Sequence, residues 1–141
     1  MPVKISTPPM TEYYLVKTDA KYGDDAKPTI VFIRTATQGD EEARGRLFAT
    51  VKKEILGDKS FFVSDVSIDD VYRQEVFLTL AFCNINWEKE DQPLFSFEKI
   101  DGVGRISMTE SRFDEAWGKL PFDIASEIIE CVHRQNPQWI E

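Results

Sequence analysis

The sequence predicts a helix-dominated α+β fold in a single domain, with an N-terminal β-hairpin and a second small hairpin. Three observations carry this. Apolar residues recur at helical spacing over 43–55 and again over 122–132. Two short runs rich in β-branched and aromatic residues, 12–18 and 29–35, flank a cluster of turn formers. Between the two helical segments stands 67–85, charged in its first half and almost continuously apolar in its second.

The first ten residues hold three prolines and show no usable period, so residues 1–10 read as an extended arm ahead of a domain at 11–141. The arm is either a loose terminus or a strap laid over a neighbouring subunit. Next come the strand-like runs E-Y-Y-L-V-K-T and T-I-V-F-I-R-T, with Gly23, Asp24, Asp25 and Pro28 between them as turn residues. From Thr37 or Asp40 the period changes. Ala43, Leu47, Phe48, Val51 and Ile55 form one face of a helix, with Glu41, Glu42, Arg44 and Arg46 on the other and Gly57 as a stop. Lys52 and Lys53 belong to its solvated face. The segment 60–66 reads as either a short strand or a linker.

Ser67 is a suitable N-cap for a central helix over 67–85, and Asp69 and Asp70 in its first turn complement the helix dipole. Val71, Val76, Leu80 and Cys83 trace its apolar stripe, widened by Tyr72, Phe77, Ala81 and Phe82. A polar loop over 84–93 contains Trp87, whose indole suits a protein contact if exposed. The runs 94–99 and 104–108 form a second hairpin about Asp101-Gly102. Thr109 or Ser111 then caps another helix, which Leu120-Pro121 interrupts before a final one bearing Phe122, Ala125, Ile128, Ile129 and Val132. Trp139 and Ile140 follow that helix and need somewhere to pack, on this domain or on a partner.

Composition narrows the function. The net charge is −8, and residues 57–141 hold 17 of the 25 acidic side chains. Such a surface repels phosphate backbones and anionic lipid, so neither nucleic acid nor a membrane is an expected partner. No apolar run approaches the ~20 residues that cross a bilayer, and no basic-then-apolar segment of secretory type appears near residue 1. The chain reads as cytoplasmic.

Tests for chemistry return little. His133 is the sole histidine and lies two residues from Cys131, a spacing that points the two side chains in different directions on a helix. It reads as a surface residue complementing the helix C-terminus. Cys83 and Cys131 read as buried thiols, with a disulfide as the alternative. One histidine and two distant cysteines do not make a zinc set. Glu88, Glu90 and Asp91 lack the order of a calcium loop. Gly102-Val103-Gly104 is a turn rather than a phosphate cradle. Glu75, among apolar neighbours, predicts a salt bridge to Arg44 or Arg46. No catalytic residue, cofactor or metal is therefore expected. The apolar excess points to protein contacts, with Phe77, Leu80, Trp87, Trp117 and Trp139 as candidate partner-binding residues.

Three segments share a further pattern. R-T-A-T-Q-G-D-E-E-A-R at 34–44 opens a helix after a strand, and E-V-F-L-T-L-A-F-C-N-I at 75–85 is centrally apolar. Residues 113–137, F-D-E-A-W-G-K-L-P-F-D-I-A-S-E-I-I-E-C-V-H-R-Q-N-P, are broken at Leu-Pro and close on Asn-Pro. This layout resembles the small tail assembly chaperones of long-tailed bacteriophages and phage tail accessory proteins more generally. The resemblance implies a non-enzymatic protein of the host cytoplasm that coats the tape-measure protein, helps recruit tail tube subunits and forms homo-oligomers. The resemblance does not extend to the N-terminal hairpin or the arm prolines. A structural subunit of the virion, in tail or connector, is the alternative, and a small enzyme built around Glu75, Cys83 and His133 is the third reading.

Overall fold

The computed structural model describes residues 2–4, 8–23, 27–57, 67–87 and 92–140. It has the mixed α+β architecture expected. In chain order the elements are β1 (Met10–Tyr14), α1 (Val16–Tyr22), β2 (Ile30–Arg34), α2 (Gln38–Gly57), α3 (Ile68–Thr79), β3 (Leu80–Cys83), β4 (Asn86–Trp87) and β5 (Gln92–Pro93). They continue with β6 (Phe97–Ile100), β7 (Val103–Ile106), α4 (Glu110–Gly118), α5 (Phe122–Gln135) and a 3₁₀ turn at Pro137–Trp139.

An antiparallel sheet in the order β1-β2-β3 organises the fold. Val31 and Ile33 of β2 point to one face and are closed into a core with Leu15, Cys83, Ile128 and Val132. Phe32, between them in sequence, points to the opposite face, as the period of two demands. The hairpin β6–β7 pairs in the register Phe97↔Ile106 to Ile100↔Val103, about the predicted Asp101-Gly102 turn. Both turn residues have positive φ, 52° and 80°, the conformation that a tight hairpin turn requires. Gly104 lets β7 approach β3 closely, since a Cβ there would lie 2.6 Å from the Ala81 carbonyl oxygen.

The helix starts follow the sequence signals. At α2, Thr37 Oγ1 accepts from the Asp40 N–H while Asp40 Oδ2 accepts from the Thr37 N–H. Ser67 and Asp70 make the same reciprocal box at α3, with Asp70 Oδ2 2.7 Å from the Ser67 nitrogen. Thr109 caps α4, and α5 begins after Pro121.

Two expectations are corrected. The N-terminal strands do pair, from Met10↔Arg34 to Tyr14↔Ile30, but the chain from Val16 onward is helix α1 and not the end of a strand. Its physical cause lies far away in sequence. The buried Glu127 carboxylate of α5 accepts from the N–H groups of Lys17 and Thr18, at 3.0 and 2.8 Å, so the free donors at the start of α1 are satisfied by tertiary structure. Asp19 then bonds the Thr29 N–H and hydroxyl, tying α1 to the start of β2.

The predicted central helix likewise ends at Thr79, and Leu80–Cys83 is strand β3, hydrogen-bonded to β2. A short, fully apolar run satisfies a buried strand as well as a buried helix. Two smaller differences follow. Asn86–Trp87 and Gln92–Pro93 form a strand pair inside the predicted polar loop, and Leu94 and Phe95 enter the core before β6 begins. The predictions for 60–66, for Asp24 and Asp25, and for Glu88, Glu90 and Asp91 lie outside the described residues, as do the side chains of Phe48, Val51, Lys52, Lys53 and Ile55. Pro9, assigned to the arm, is bonded into the sheet, its carbonyl accepting from the Thr35 N–H at 2.9 Å.

Two outcomes are expected. Gly104→Ala should lower stability by about 1–3 kcal/mol through backbone overpacking, read as a lower urea midpoint, while Gly118→Ala, with open space around it, should not. The Ser67 backbone N–H, donating to Asp70, holds that carboxyl below its ordinary 3.8. A carboxyl with a lowered folded-state pKa stabilises the fold fully above 3.8 and loses that contribution as pH falls through the folded value. Asp70→Ala should therefore cost about 1 kcal/mol near neutral pH, with the gap to the wild type narrowing in strong acid.

Candidate functional site

The densest polar cluster lies where α2, α3 and α5 meet. Glu75 in the middle of α3 is 0% exposed. Its Oε2 stands 2.5 Å from Arg44 Nε of α2, and its Oε1 stands 2.7 Å from His133 Nε2 of α5. Each carboxylate oxygen is thus engaged by a different helix. Tyr72, one turn before Glu75, meets the His133 ring edge-on with centroids 5.0 Å apart. On the other side, the Arg44 guanidinium lies 5.4 Å from the Trp139 ring centroid. Glu41, one turn before Arg44, accepts from Trp139 Nε1 and Gln138 Nε2 at 3.1 and 2.9 Å. The cluster binds three helices and the C-terminal turn to one another.

Glu75, expected to pair with Arg44 or Arg46, pairs with Arg44. The reading of His133 as a surface residue is corrected: its imidazole turns inward to the Glu75 carboxylate, with 15% of the side chain exposed. Helical spacing could not reveal this, because the partner sits 58 residues earlier in sequence. Of the three residues named for an enzyme, Glu75 and His133 are brought together, while Cys83 lies in β3 opposite Val31. Burial pushes the Cys83 thiol up to about 11 and that of Cys131 likewise to about 11, so both are protonated and poorly nucleophilic at neutral pH. Among the described residues no three His, Cys, Asp or Glu side chains are placed to hold a metal ion, and no helix is long and apolar enough to cross a membrane.

A general base or nucleophile must reach the atom it acts on. Glu75 has no exposed surface and both oxygens occupied. The geometry fits a structural clamp rather than a reactive carboxylate.

One open feature among the described residues is apolar. On the sheet face opposite the α5 core, a groove of about 470 Å³ runs between β3 and the β6–β7 hairpin, lined by Met10, Phe32, Phe82 and Phe97, with Glu98 and Lys99 at its margin. Phe82 is 39% exposed and Met10 38%. The Phe32, Phe82 and Phe97 rings form a tilted series with centroids 6.1 and 5.7 Å apart. From Phe97 the aromatic contacts continue inward through Phe95 and Phe113 to Trp117.

The candidate partner-binding residues divide. Leu80 and Trp139 are each 1% exposed and belong to the core, so the Trp139 indole packs on its own domain while Ile140 after it is exposed. Phe77, Trp87 and Trp117 are half-buried against that core. The expectation of an exposed indole at Trp87 is therefore corrected. The open apolar residues, Met10, Phe32, Phe82 and Phe97, were missed. Their signal was present: T-I-V-F-I-R-T and L-A-F-C are apolar at both parities, and a strand apolar on both faces needs cover on both.

Compared with known proteins, the chain matches no family model, no curated relative and no solved structure.

Removing one member of the clamp tests its role. Arg44→Met leaves the buried carboxylate without its cation and should lower stability by about 3 kcal/mol or more. The double variant Arg44→Met, Glu75→Met should recover most of that loss, measured as urea midpoints. A double variant as unstable as the single one would show that the charge pair is not the source of the effect.

Proposed function

We propose that this chain is a non-enzymatic, chaperone-like protein of phage tail assembly that binds other tail proteins through apolar surface. The observation that carries the binding part is the contrast between the closed Glu75 cluster and the open aromatic groove at Phe82 and Phe97. Glu75 and His133 are consumed in holding the fold, whereas Phe82 and Met10 are left partly facing solvent. Exposed apolar surface rimmed by polar residues is what a protein-binding face presents. The acidic balance of −8 supports a protein partner over nucleic acid. The tail context rests on the resemblance of 34–44, 75–85 and 113–137 to tail assembly chaperones, with the tape-measure and tail tube proteins as partners.

Co-expression with each of those two proteins, followed by purification on a tag carried by this chain, tests the reading. The expected result is a stable complex with at least one of them, weakened by Phe82→Asp, together with absence of this chain from purified virions by mass spectrometry. Binding to neither protein would overturn the tail reading. Recovery from virions in a fixed ratio would turn it into the structural-subunit reading.

A further inference from the structure

We infer that the outer edge of β1 is a docking site for an extended strand of a different protein, which adds to the sheet there and anchors an apolar side chain in the neighbouring groove. The inference rests on the protein-binding part of the reading above and deepens it by naming the form of the ligand. β1 ends the sheet in the order β1-β2-β3, and among the described residues no strand lies beyond it.

The ladder fixes which backbone groups are free. The Thr35 N–H donates to the Pro9 carbonyl and the Leu15 N–H to the Thr29 carbonyl, at the two ends of the β1–β2 pairing. Bonded and non-bonded pairs alternate along an antiparallel ladder. Thr11 and Tyr13 therefore share the parity of Pro9 and Leu15 and bond to β2. Met10, Glu12 and Tyr14 turn their N–H and C=O groups outward, the row that an added strand requires.

The same three residues put their side chains on the groove face, since Glu12 is opposite Phe32 and Phe32 is opposite Phe82. An incoming strand would thus find backbone partners along β1 and, across Met10, the aromatic groove.

Charge decides between a second copy and another protein. Two copies of β1 paired about their midpoint would set Glu12 against Glu12, and like charges directly opposite destabilise a pair. Slipping the register toward the N-terminus meets Pro8, which shares the outward parity of Met10 and has no N–H to give. Slipping it the other way runs into helix α1 at Val16. The fitting occupant is a heterologous strand with a basic residue opposite Glu12 and long apolar side chains two positions to either side.

A short fluorescein-labelled peptide, alternating threonine with leucine and bearing one central lysine, is the probe, read by fluorescence anisotropy. Glu12→Pro removes one outward N–H and leaves the inward ladder intact. It should weaken binding about tenfold or more while the urea midpoint stays close to wild type. Glu12→Lys keeps the backbone donor and should reverse the preference, favouring the same peptide with glutamate at its centre. Unchanged affinity in Glu12→Pro, indifference of Glu12→Lys to the central charge, or no binding of the wild type would each overturn the inference. So would a wild-type dimer that Glu12→Pro dissociates in light scattering, since the occupant would then be a second copy. If Glu12→Pro still holds a tail protein in co-expression as tightly as wild type, the edge site falls and the proposed function stands. If the wild type holds no tail protein yet binds the peptide in a Glu12-dependent way, the reverse applies.

Discussion

A single buried carboxylate sets the constraint that the rest of the domain satisfies. Glu75 has no exposed surface, so the hydrogen-bonding demand of its carboxyl group must be met from within the protein. Arg44 and His133 meet it from opposite helices, and neither could do so unless α2 and α5 both packed on α3 at this point. Apolar side chains alone would let three helices slide or rotate at modest cost. A carboxylate with one oxygen assigned to each partner admits one arrangement. The clamp extends further, because Arg44 also faces the Trp139 ring and Glu41 holds the indole N–H. The C-terminal turn is thereby fixed to the same centre, and the tail tryptophan becomes part of the core.

The same logic recurs at the sheet. Glu127 satisfies the start of α1, and Asn136, fully buried, accepts from the Ala36 N–H at 2.8 Å and donates to the Arg34 carbonyl. Asn84 accepts from the Ile30 N–H and donates to the Pro28 carbonyl. Irregular backbone between β1 and α2 is therefore held largely by side chains of α5 and of the residues that follow β3 and α5. These polar side chains replace water at groups that folding removes from solvent, where an unmet donor or acceptor costs about 1–3 kcal/mol. The chain can in this way use short strands and abrupt joints that local propensity alone would not sustain.

How much of this was legible in the sequence follows from the range of each interaction. The N-cap at Ser67, the Asp101-Gly102 turn and the break at Pro121 are encoded within a few residues, and each is where the sequence implied, while Thr37 is one of the two starts it offered for α2. The Glu75–Arg44 pair was readable because an isolated carboxylate in an apolar stripe demands a cation and few were in reach. His133 was not readable, because nothing near it in sequence distinguishes an imidazole facing water from one facing a carboxylate. Helix α1 and strand β3 were misread for a related reason. Val16–Thr18 is β-prone locally but helical once Glu127 arrives, and the apolar run 80–83 gives no period by which to separate a buried strand from a buried helix. Boundaries that depend on distant partners are absent from local pattern by construction.

The open groove is best understood from the chain of rings beneath it. Phe97 touches Phe95, Phe95 touches Phe113, and Phe113 stacks on Trp117 with planes 21° apart. Phe95 and Phe113 are buried, so the floor of the groove is braced by aromatic packing that reaches α4. A braced apolar floor keeps its shape when empty. An apolar cleft that could collapse would do so, because closing it would remove more surface from water. Gly104 supplies the other half of the constraint by bringing β7 against β3, which fixes the hairpin as one wall while Phe82, in ring contact with Phe32 and Phe97, stays partly exposed on the other. The groove therefore follows from how the core is built, and among the described residues no side chain fills it.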